Sequence, residues 1–237
     1  MRTARVEVFT FDELTEKARE KAHEKWVEDA CGTYVFDREA RQTIEAFEKE
    51  FGVTVADWEF DAWTYSFDLR TGSIYDDVLA LCGNRARAWF WNNHGHCLLE
   101  PRIRYFTHDR DGRRIEAVSA DSVEYRSKVD FTRVYDGTCP WTGYYLDACA
   151  LDPIAYFCFG VEWDDKAQKR VPSGRKLAAD NAVTVEYLLE AGCDSLFSAL
   201  RDDCKYQQSM EAFKEACEAN LYEFTEDGEM WCKKEVA

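Results

Sequence analysis

The sequence lacks the short motifs by which the common enzyme classes are recognised. It has no G-x-S-x-G elbow of a serine hydrolase, no glycine-rich phosphate loop and no C-x-x-C pair. It also has no long apolar run, so we expect no membrane span. Residues 1–14, MRTARVEVFTFDEL, lack the apolar core of a signal peptide, and we therefore expect a cytoplasmic protein. These absences favour a protein that is not an enzyme and needs no cofactor, with an unrecognised small enzyme as the open alternative.

The sequence has fewer basic than acidic residues. Among 237 residues there are 46 Asp and Glu against 30 Lys and Arg, which gives a formal net charge of -16 and a pI near 4.7. Direct binding of nucleic acid needs clustered Lys and Arg, so we do not expect it. Two interpretations of the acidity stay open. It keeps the protein soluble, or it forms a surface that competes with nucleic acid for a basic groove.

The hydrophobic content is high enough for a folded chain. Hydrophobic residues make up 46% and aromatic residues 15% of the sequence, so we expect a sizeable core and no disordered region. The ten cysteines show no repeated spacing, and several fall on apolar helix faces. We therefore expect reduced, buried thiols in a reducing compartment rather than a disulfide scaffold.

Residues 53–69, VTVADWEFDAWTYSFDL, alternate between apolar and polar side chains. The alternation predicts one long bent strand or a tight strand pair, broken near Asp57 by a bulge or turn. We expect this segment in the middle of a sheet that helices cover. The two apolar sets are Val53, Val55, Trp58 and Phe60, and then Trp63, Tyr65, Phe67 and Leu69.

Helical periodicity and capping residues recur along the rest of the chain. Thr10 and Glu13 form a predicted capping box, residues 73–76 form a second candidate box, and Asp152-Pro153 predicts a helix start. Further strands and turns fill the intervals, and we expect these strands to extend the sheet around residues 53–69. Residues 164–176 are predicted to be an exposed loop. The predicted helices cover residues 10–29, 37–51, 73–91 and 184–206, with another after Ser209. The predicted strands cover residues 5–9, 98–108, 113–118 and 123–134, with two short strands around residues 227–228.

These elements predict an α+β protein with an antiparallel, or in part mixed, central sheet and helices packed against it. We expect a single domain over residues 1–237. A subdivision near residue 138 is the alternative, with a sheet-rich part over 1–138 and a helix-rich part over 139–237.

His94-Gly95-His96-Cys97 is the only local cluster of metal-type ligands in the sequence. On an extended chain His94 and His96 would point the same way, as a zinc site could use. A third and fourth ligand would have to come from elsewhere, and only His23 and His108 remain among the histidines. We therefore predict a polar loop here and no metal site.

The last quarter of the chain is more acidic than the rest. From residue 180 onward it has 14 Asp and Glu against five Lys and Arg. The four-residue spacing of Glu186, Glu190 and Asp194 places them on one helix face, and Asp202 and Asp203 follow. Glu186 and Glu190 have no basic residue three or four positions later, so their repulsion is not relieved within the helix. The face is either a binding surface for a basic partner or only solvated.

Three segments resemble a family of uncharacterised phage and prophage proteins. They are the opening FTFDELTEKAREKAHEKW, the centre CPWTGYYLDACALDPIAYF and the ending YQQSMEAFKEACEANLYEFTEDGEMW. Some members of the family carry the label of antitoxin in a toxin–antitoxin system.

The resemblance implies an accessory protein of a mobile element, acting in the bacterial cytoplasm. For a strongly acidic protein in that setting, we expect inhibition of a bacterial defence system. A CRISPR effector or restriction enzyme has a basic groove for nucleic acid, which such a protein can occupy as a nucleic-acid mimic. Neutralisation of a toxin by direct binding is the alternative. The predicted partner-binding residues are Glu186, Glu190, Asp194, Asp202 and Asp203, with Trp141, Tyr144 and Tyr145 as aromatic anchors.

Overall fold

The computed structural model describes residues 7–30, 36–116, 125–134, 139–164, 169–172 and 182–231. The chain divides into two compact units. Unit 1 combines residues 1–37, 59–65 and 200–237, and unit 2 combines residues 38–58 and 66–199. The alternative division near residue 138 falls outside the described residues, and the single domain stays a prediction.

Helices and strands are both present, which confirms the predicted α+β class. The described helices are α1 (Glu16–Ala30), α2 (Asp37–Phe51), α3 (Asp76–Leu79), α4 (Gly83–Leu98), α5 (Leu146–Phe159), α6 (Val185–Gln207) and α7 (Met210–Asn220), with a short 3-10 helix at Phe11–Glu13. The described strands are β1 (Thr54–Phe60), β2 (Tyr65–Arg70), β3 (Leu99–His108), β4 (Arg114–Glu116), β5 (Tyr125–Val134), β6 (Val161–Asp164) and β7 (Lys169–Pro172).

The described strands form three separate sheets, with the orders β1-β2, β4-β3-β5 and β6-β7. The prediction that the later strands extend the sheet around residues 53–69 is therefore wrong. In the three-stranded sheet β3 pairs antiparallel with both neighbours, and Leu99 lies opposite Val134. The register shifts between Glu100 and Pro101, where proline has no N–H to donate to the ladder.

Unit 1 is built around an aromatic core. The ring of Phe213 in α7 lies 5.6 Å from that of Phe11, nearly perpendicular to it, and 5.2 Å from that of Trp26 in α1. Phe9 and Phe224 exchange two backbone hydrogen bonds of 2.8 Å, which join the start of the described chain to its last residues. This core forms only when segments that are far apart in the chain pack together. Its buried members are Phe11, Leu14, Ala18, Ala22, Phe213, Cys217 and Phe224.

The predicted capping box of unit 1 is present, but it belongs to the 3-10 helix. The backbone N–H and the hydroxyl of Thr10 both donate to the Glu13 carboxylate at 2.8 Å. Leu14 then adopts an extended conformation, and the Thr15 hydroxyl accepts from Ala18 N–H at 3.3 Å in the first turn of α1. The predicted helix over residues 10–29 is thus two helices with a break between them.

In unit 2, α2 packs against α4, α5 and α6. The ring of Phe51 lies 6.1 Å from that of Phe90 in α4. A Cβ on Gly192 of α6 would lie 2.8 Å from the Ala150 carbonyl oxygen of α5 and 3.2 Å from the Phe47 ring of α2. Glycine therefore permits the close packing of these three helices. The predicted buried face of α2 is confirmed at Ala40, Ile44, Phe47 and Phe51.

The segment 53–69 forms the predicted strand pair, β1-β2, but Asp57 lies inside β1 and the chain turns at residues 61–64. Asp57 has a φ of 49°, in the left-handed region that non-glycine residues seldom adopt. The second predicted apolar set is wrong at its first member, Trp63. This residue lies in the turn, and 77% of its surface is exposed. Asp61 forms this turn by accepting the N–H groups of Trp63 and Thr64, each at 2.7 Å. From β2 onward the alternation holds, since Tyr65, Phe67 and Leu69 are half-buried and Ser66, Asp68 and Arg70 are exposed.

Three further predictions of local structure are wrong. The expected helix over residues 73–91 is divided into α3 and α4, and Ser73 lies outside both. Pro153 is inside α5 rather than at its start, because the sequence before it is itself apolar and helical. Part of the expected loop over residues 164–176 is the strand β7, which pairs with β6.

The long helix α6 and the helix after Ser209 are confirmed. The Ser209 hydroxyl accepts from Ala212 N–H at 3.1 Å and so caps α7. The expected strands around residues 227–228 are reduced to a single bridge between Phe224 and Met230. Among the described residues, no helix has the length and apolar character that crossing a membrane requires.

Candidate functional site

The first candidate site is the exposed side of α6 in unit 2. We call Glu186, Glu190 and Asp194 the acidic face, and all three are exposed. Four-residue steps place them on one side of the helix, about 6 Å apart along its axis. The opposite side is buried through Leu188, Leu189, Cys193, Leu196 and Phe197, so packing fixes which side of α6 meets solvent.

The helix segment that carries the acidic face contains acidic residues but no basic ones. Residues 185–200 contain no Lys or Arg, and Glu48 of α2 adds a carboxylate whose charge acts on Cys193. The pKa of the buried Cys193 thiol is raised to about 12 by burial and then by the charges of Glu48, Glu190 and Asp194. The sequence prediction did not include Glu48, because it lies far from α6 along the chain.

Asp202 and Asp203 lie in the part of α6 that belongs to unit 1. Asp202 is exposed and forms an ion pair of 2.8 Å with Arg201, so its charge is partly balanced. Asp203 is half-buried. These two residues were predicted to act with the acidic face, but the face belongs to unit 2 and they belong to unit 1.

The predicted aromatic anchors Trp141, Tyr144 and Tyr145 precede α5, and they are not equivalent. Trp141 is half-buried, and its ring lies edge-on to the rings of Phe47 and Phe51, with centroids at 6.1 and 6.0 Å. Its main role is therefore in the core of unit 2. Tyr145 is 42% exposed, and its ring lies 4.9 Å from that of Tyr144, so this residue is the accessible one.

A buried carboxylate, which the sequence analysis missed, holds this segment in place. Asp147 is fully buried. It accepts the backbone N–H groups of Trp141 and Thr142 at 2.9 and 2.7 Å, and the hydroxyls of Thr142 and Thr43 at 2.8 and 3.1 Å. Four donors satisfy the carboxylate without water. The motif CPWTGYYLD therefore forms a loop in which its last residue, Asp147, accepts hydrogen bonds from Trp141 and Thr142.

The second candidate site contains the segment His94-Gly95-His96-Cys97. This segment was predicted to be a polar loop, but it is the last part of α4, and His94 and Cys97 are buried. Glu50 of α2 joins all three side chains. His94 Nδ1 lies 2.8 Å from Glu50 Oε1, His96 Nε2 lies 3.3 Å from Glu50 Oε2, and Cys97 Sγ lies 3.6 Å from Glu50 Oε1.

In this cluster the Glu50 carboxyl and the Cys97 thiol each affect the pKa of the other. Burial alone would raise the pKa of the Glu50 carboxyl, but the hydrogen bond with His94 and the imidazole of His96 outweigh burial and lower this pKa. Burial, and then the Glu50 carboxylate, raises the pKa of the Cys97 thiol. A nucleophilic thiolate is therefore disfavoured here. No local sequence signal pointed to Glu50, which lies 44 positions before His94.

Unit 1 has a surface depression of about 530 Å³ beside the exposed Trp63. Its walls come from α1, the turn before β2 and the C-terminal part of α6, and they include His23, Val27 and Lys205. His23 Nε2 lies 2.9 Å from the Gln208 carbonyl oxygen, so it is engaged within the unit. The mixed lining indicates no particular chemistry.

Neither the protein-family models, nor the curated proteins, nor the solved structures gave a match to this chain.

Proposed function

We propose that the protein is an acidic binding protein of phage or prophage origin that inhibits a bacterial defence system in the cytoplasm. It occupies the basic nucleic-acid groove of a CRISPR effector or a restriction enzyme and acts as a nucleic-acid mimic. The observation that carries the proposal is the acidic face of α6, on which three exposed carboxylates follow one another at four-residue spacing in a stretch, residues 185–200, whose sequence contains no Lys or Arg.

The physical argument rests on electrostatic attraction over distance. The acidic face extends about 12 Å along the helix axis, and the whole chain has a net charge of -16. A groove lined by Lys and Arg concentrates positive potential, and complementary potentials raise the rate of encounter. Helix packing already holds the backbone of the acidic face, so little ordering is needed on binding.

The first experiment identifies the partner. The intact protein is immobilised and exposed to bacterial lysate at low and at high salt, and bound proteins are identified by mass spectrometry. We expect one stoichiometric partner with a basic groove, released as salt rises because screening shortens electrostatic reach to about 8 Å at physiological strength. Recovery of a small basic toxin in its place would favour the alternative function of toxin neutralisation.

The second experiment tests the acidic face itself. The variant combines Glu186→Lys, Glu190→Lys and Asp194→Lys. We expect its affinity for the partner to fall by roughly 100-fold or more, chiefly through slower association. Its melting temperature should stay within about 2 °C of wild type, because surface substitutions of this kind change stability little. Binding kinetics at two salt concentrations measure the effect.

A matched control separates position from total charge. Glu16, Glu20 and Glu24 of α1 are exposed and have the same four-residue spacing. Reversing these three to Lys changes the net charge by the same amount and should alter affinity far less. Equal losses in both variants, or none in either, would refute the assignment of the acidic face.

A further inference from the structure

The cluster around Glu50 has no part in the proposed binding function. It combines a carboxylate, two imidazoles and a thiol where the C-terminal turn of α4 meets α2. The ligand atoms of Glu50, His96 and Cys97 all lie within 4.8 Å of one another. We infer that Glu50, His96 and Cys97 form a zinc-binding site, in which His94 positions Glu50.

The spacing of the donor atoms suits a tetrahedral ion. Bonds of about 2.0–2.3 Å from zinc to N, O and S place neighbouring ligand atoms on the order of 3.5 Å apart. In the structure, His96 Nε2 lies 3.3 Å from Glu50 Oε2 and Cys97 Sγ lies 3.6 Å from Glu50 Oε1, and one ligand atom from each of the three residues lies within 4.8 Å of the other two. His96 has 64% of its side chain exposed, so its ring has the freedom to complete the geometry.

The charges balance when a divalent cation is bound. Zinc carries two positive charges, and one carboxylate and one thiolate carry two negative charges, while imidazole binds as the neutral ring. Binding requires Cys97 to lose its thiol proton to solvent, and a buried thiolate is stable only when a cation compensates it. Glu50 and Cys97 are both largely buried, so a bound divalent ion gives a buried site with no net charge.

His94 acts through Glu50. Its Nδ1 is 2.8 Å from Glu50 Oε1, and a hydrogen on Nδ1 donates to the carboxylate and fixes its orientation. The other nitrogen, Nε2, is buried and has no hydrogen-bond partner among the described residues. It therefore bears a lone pair in this tautomer, since a hydrogen there would be a buried donor without an acceptor.

The donor set selects the metal. Thiolate and imidazole favour zinc over magnesium and calcium, which prefer oxygen ligands alone. Three protein ligands leave a fourth position, as in zinc sites that keep an exchangeable ligand. The site would also link α2 to α4, so zinc should raise the melting temperature of the protein.

The experiment uses the intact chain without a histidine tag. The protein is treated with a chelator, dialysed and titrated with zinc and, separately, with cobalt(II) as a spectroscopic probe. We expect one metal ion per chain, tetrahedral cobalt absorption in the visible range and a thiolate-to-cobalt charge-transfer band. Cys97→Ser should abolish the charge-transfer band.

The histidine variants have a matched control. Since His96 is exposed, His96→Ala should fold normally and bind zinc more weakly by about 10–100-fold or more. His108 is also exposed and lies at the far end of β3, so His108→Ala should bind zinc as wild type does. His94→Gln should weaken binding but keep the charge-transfer band, as a positioning role requires.

Three results would each overturn the inference. They are absence of metal uptake by the wild-type chain, unchanged affinity in His96→Ala, and a charge-transfer band that persists in Cys97→Ser. Circular dichroism on every variant identifies a loss of fold, and the His96 and His108 pair decides the outcome if the Cys97 variant does not fold.

Discussion

At the scale of single residues, two features of position 228 in unit 1 require glycine. They are its backbone conformation and its close approach to Ala18. Its φ is 84°, a conformation that costs L-residues free energy. A Cβ on Gly228 would also overlap the backbone of Ala18 in α1. Glycine is therefore needed for the turn of residues 225–229 to pack on α1.

Gly228→Ala should lower the free energy of unfolding by about 2–4 kcal/mol, because backbone strain adds to a collision with another backbone segment. Urea denaturation measures the loss. Gly72→Ala is the control, since nothing lies within 4 Å of a Cβ at Gly72 and its φ is not in the left-handed region. That substitution should change stability by no more than about 0.5 kcal/mol. Equal effects at both sites would contradict the role given to Gly228.

At the scale of elements, two serines that precede helices differ in what they cap. Ser209 Oγ accepts from Ala212 N–H in the first turn of α7. Ser73 was predicted to be a cap as well, but α3 starts at Asp76 after Tyr75, with no side-chain cap bond. Serine therefore caps a helix at position 209 but not at position 73.

Ser209→Ala should cost about 1 kcal/mol of unfolding free energy, because the substitution leaves a first-turn N–H of α7 without its acceptor. Ser73→Ala should change stability by less than about 0.5 kcal/mol. Chemical denaturation of both variants beside wild type makes the comparison. A larger loss at Ser73 than at Ser209 would mean that α3 begins where the sequence placed it.

At the scale of the whole molecule, the eight described cysteines are all free thiols. They differ in environment rather than in pairing. Burial raises the pKa of Cys158 to about 12 and the pKa of Cys217 to about 11. Cys82 is only half-buried. Because the thiolate is the reactive form, the native fold should divide the cysteines into fast and slow classes.

A brief pulse of iodoacetamide at pH 8, followed by peptide mass spectrometry, should label Cys82 at least about 100-fold faster than Cys158. Raising the pH toward the pKa of Cys158 should increase its rate, since more thiolate forms. In denaturant all ten cysteines should react alike. Equal rates for Cys82 and Cys158 in the native protein would show that the interior opens faster than the reagent reacts.

The proposed function also belongs to the whole molecule, since long-range attraction depends on net charge as well as on the acidic face. The proposed zinc site depends only on the side chains around Glu50. Its test reads metal affinity and cobalt absorption, so either proposal can fail without the other.

Much of the secondary structure could be predicted from the sequence, because the patterns that encode it are local. Apolar residues at helical spacing placed α2 and α6, and the alternation from Tyr65 to Leu69 placed β2. Ser209 marked the start of α7. Each of these signals depends on residues within a few positions of one another, so a single sequence contains them in full.

Tertiary structure decided the environment of each candidate site. Glu50 meets His94 across 44 positions and Thr43 meets Asp147 across 104, and no local pattern encodes either contact. Trp63 fits the apolar alternation, yet the turn at Asp61 exposes it. The exposure of Glu186 could be predicted from its helix face, but the effect of Glu48 on the Cys193 thiol could not. Local preference fixes which residues are helical or extended, whereas burial and charge depend on which elements pack together.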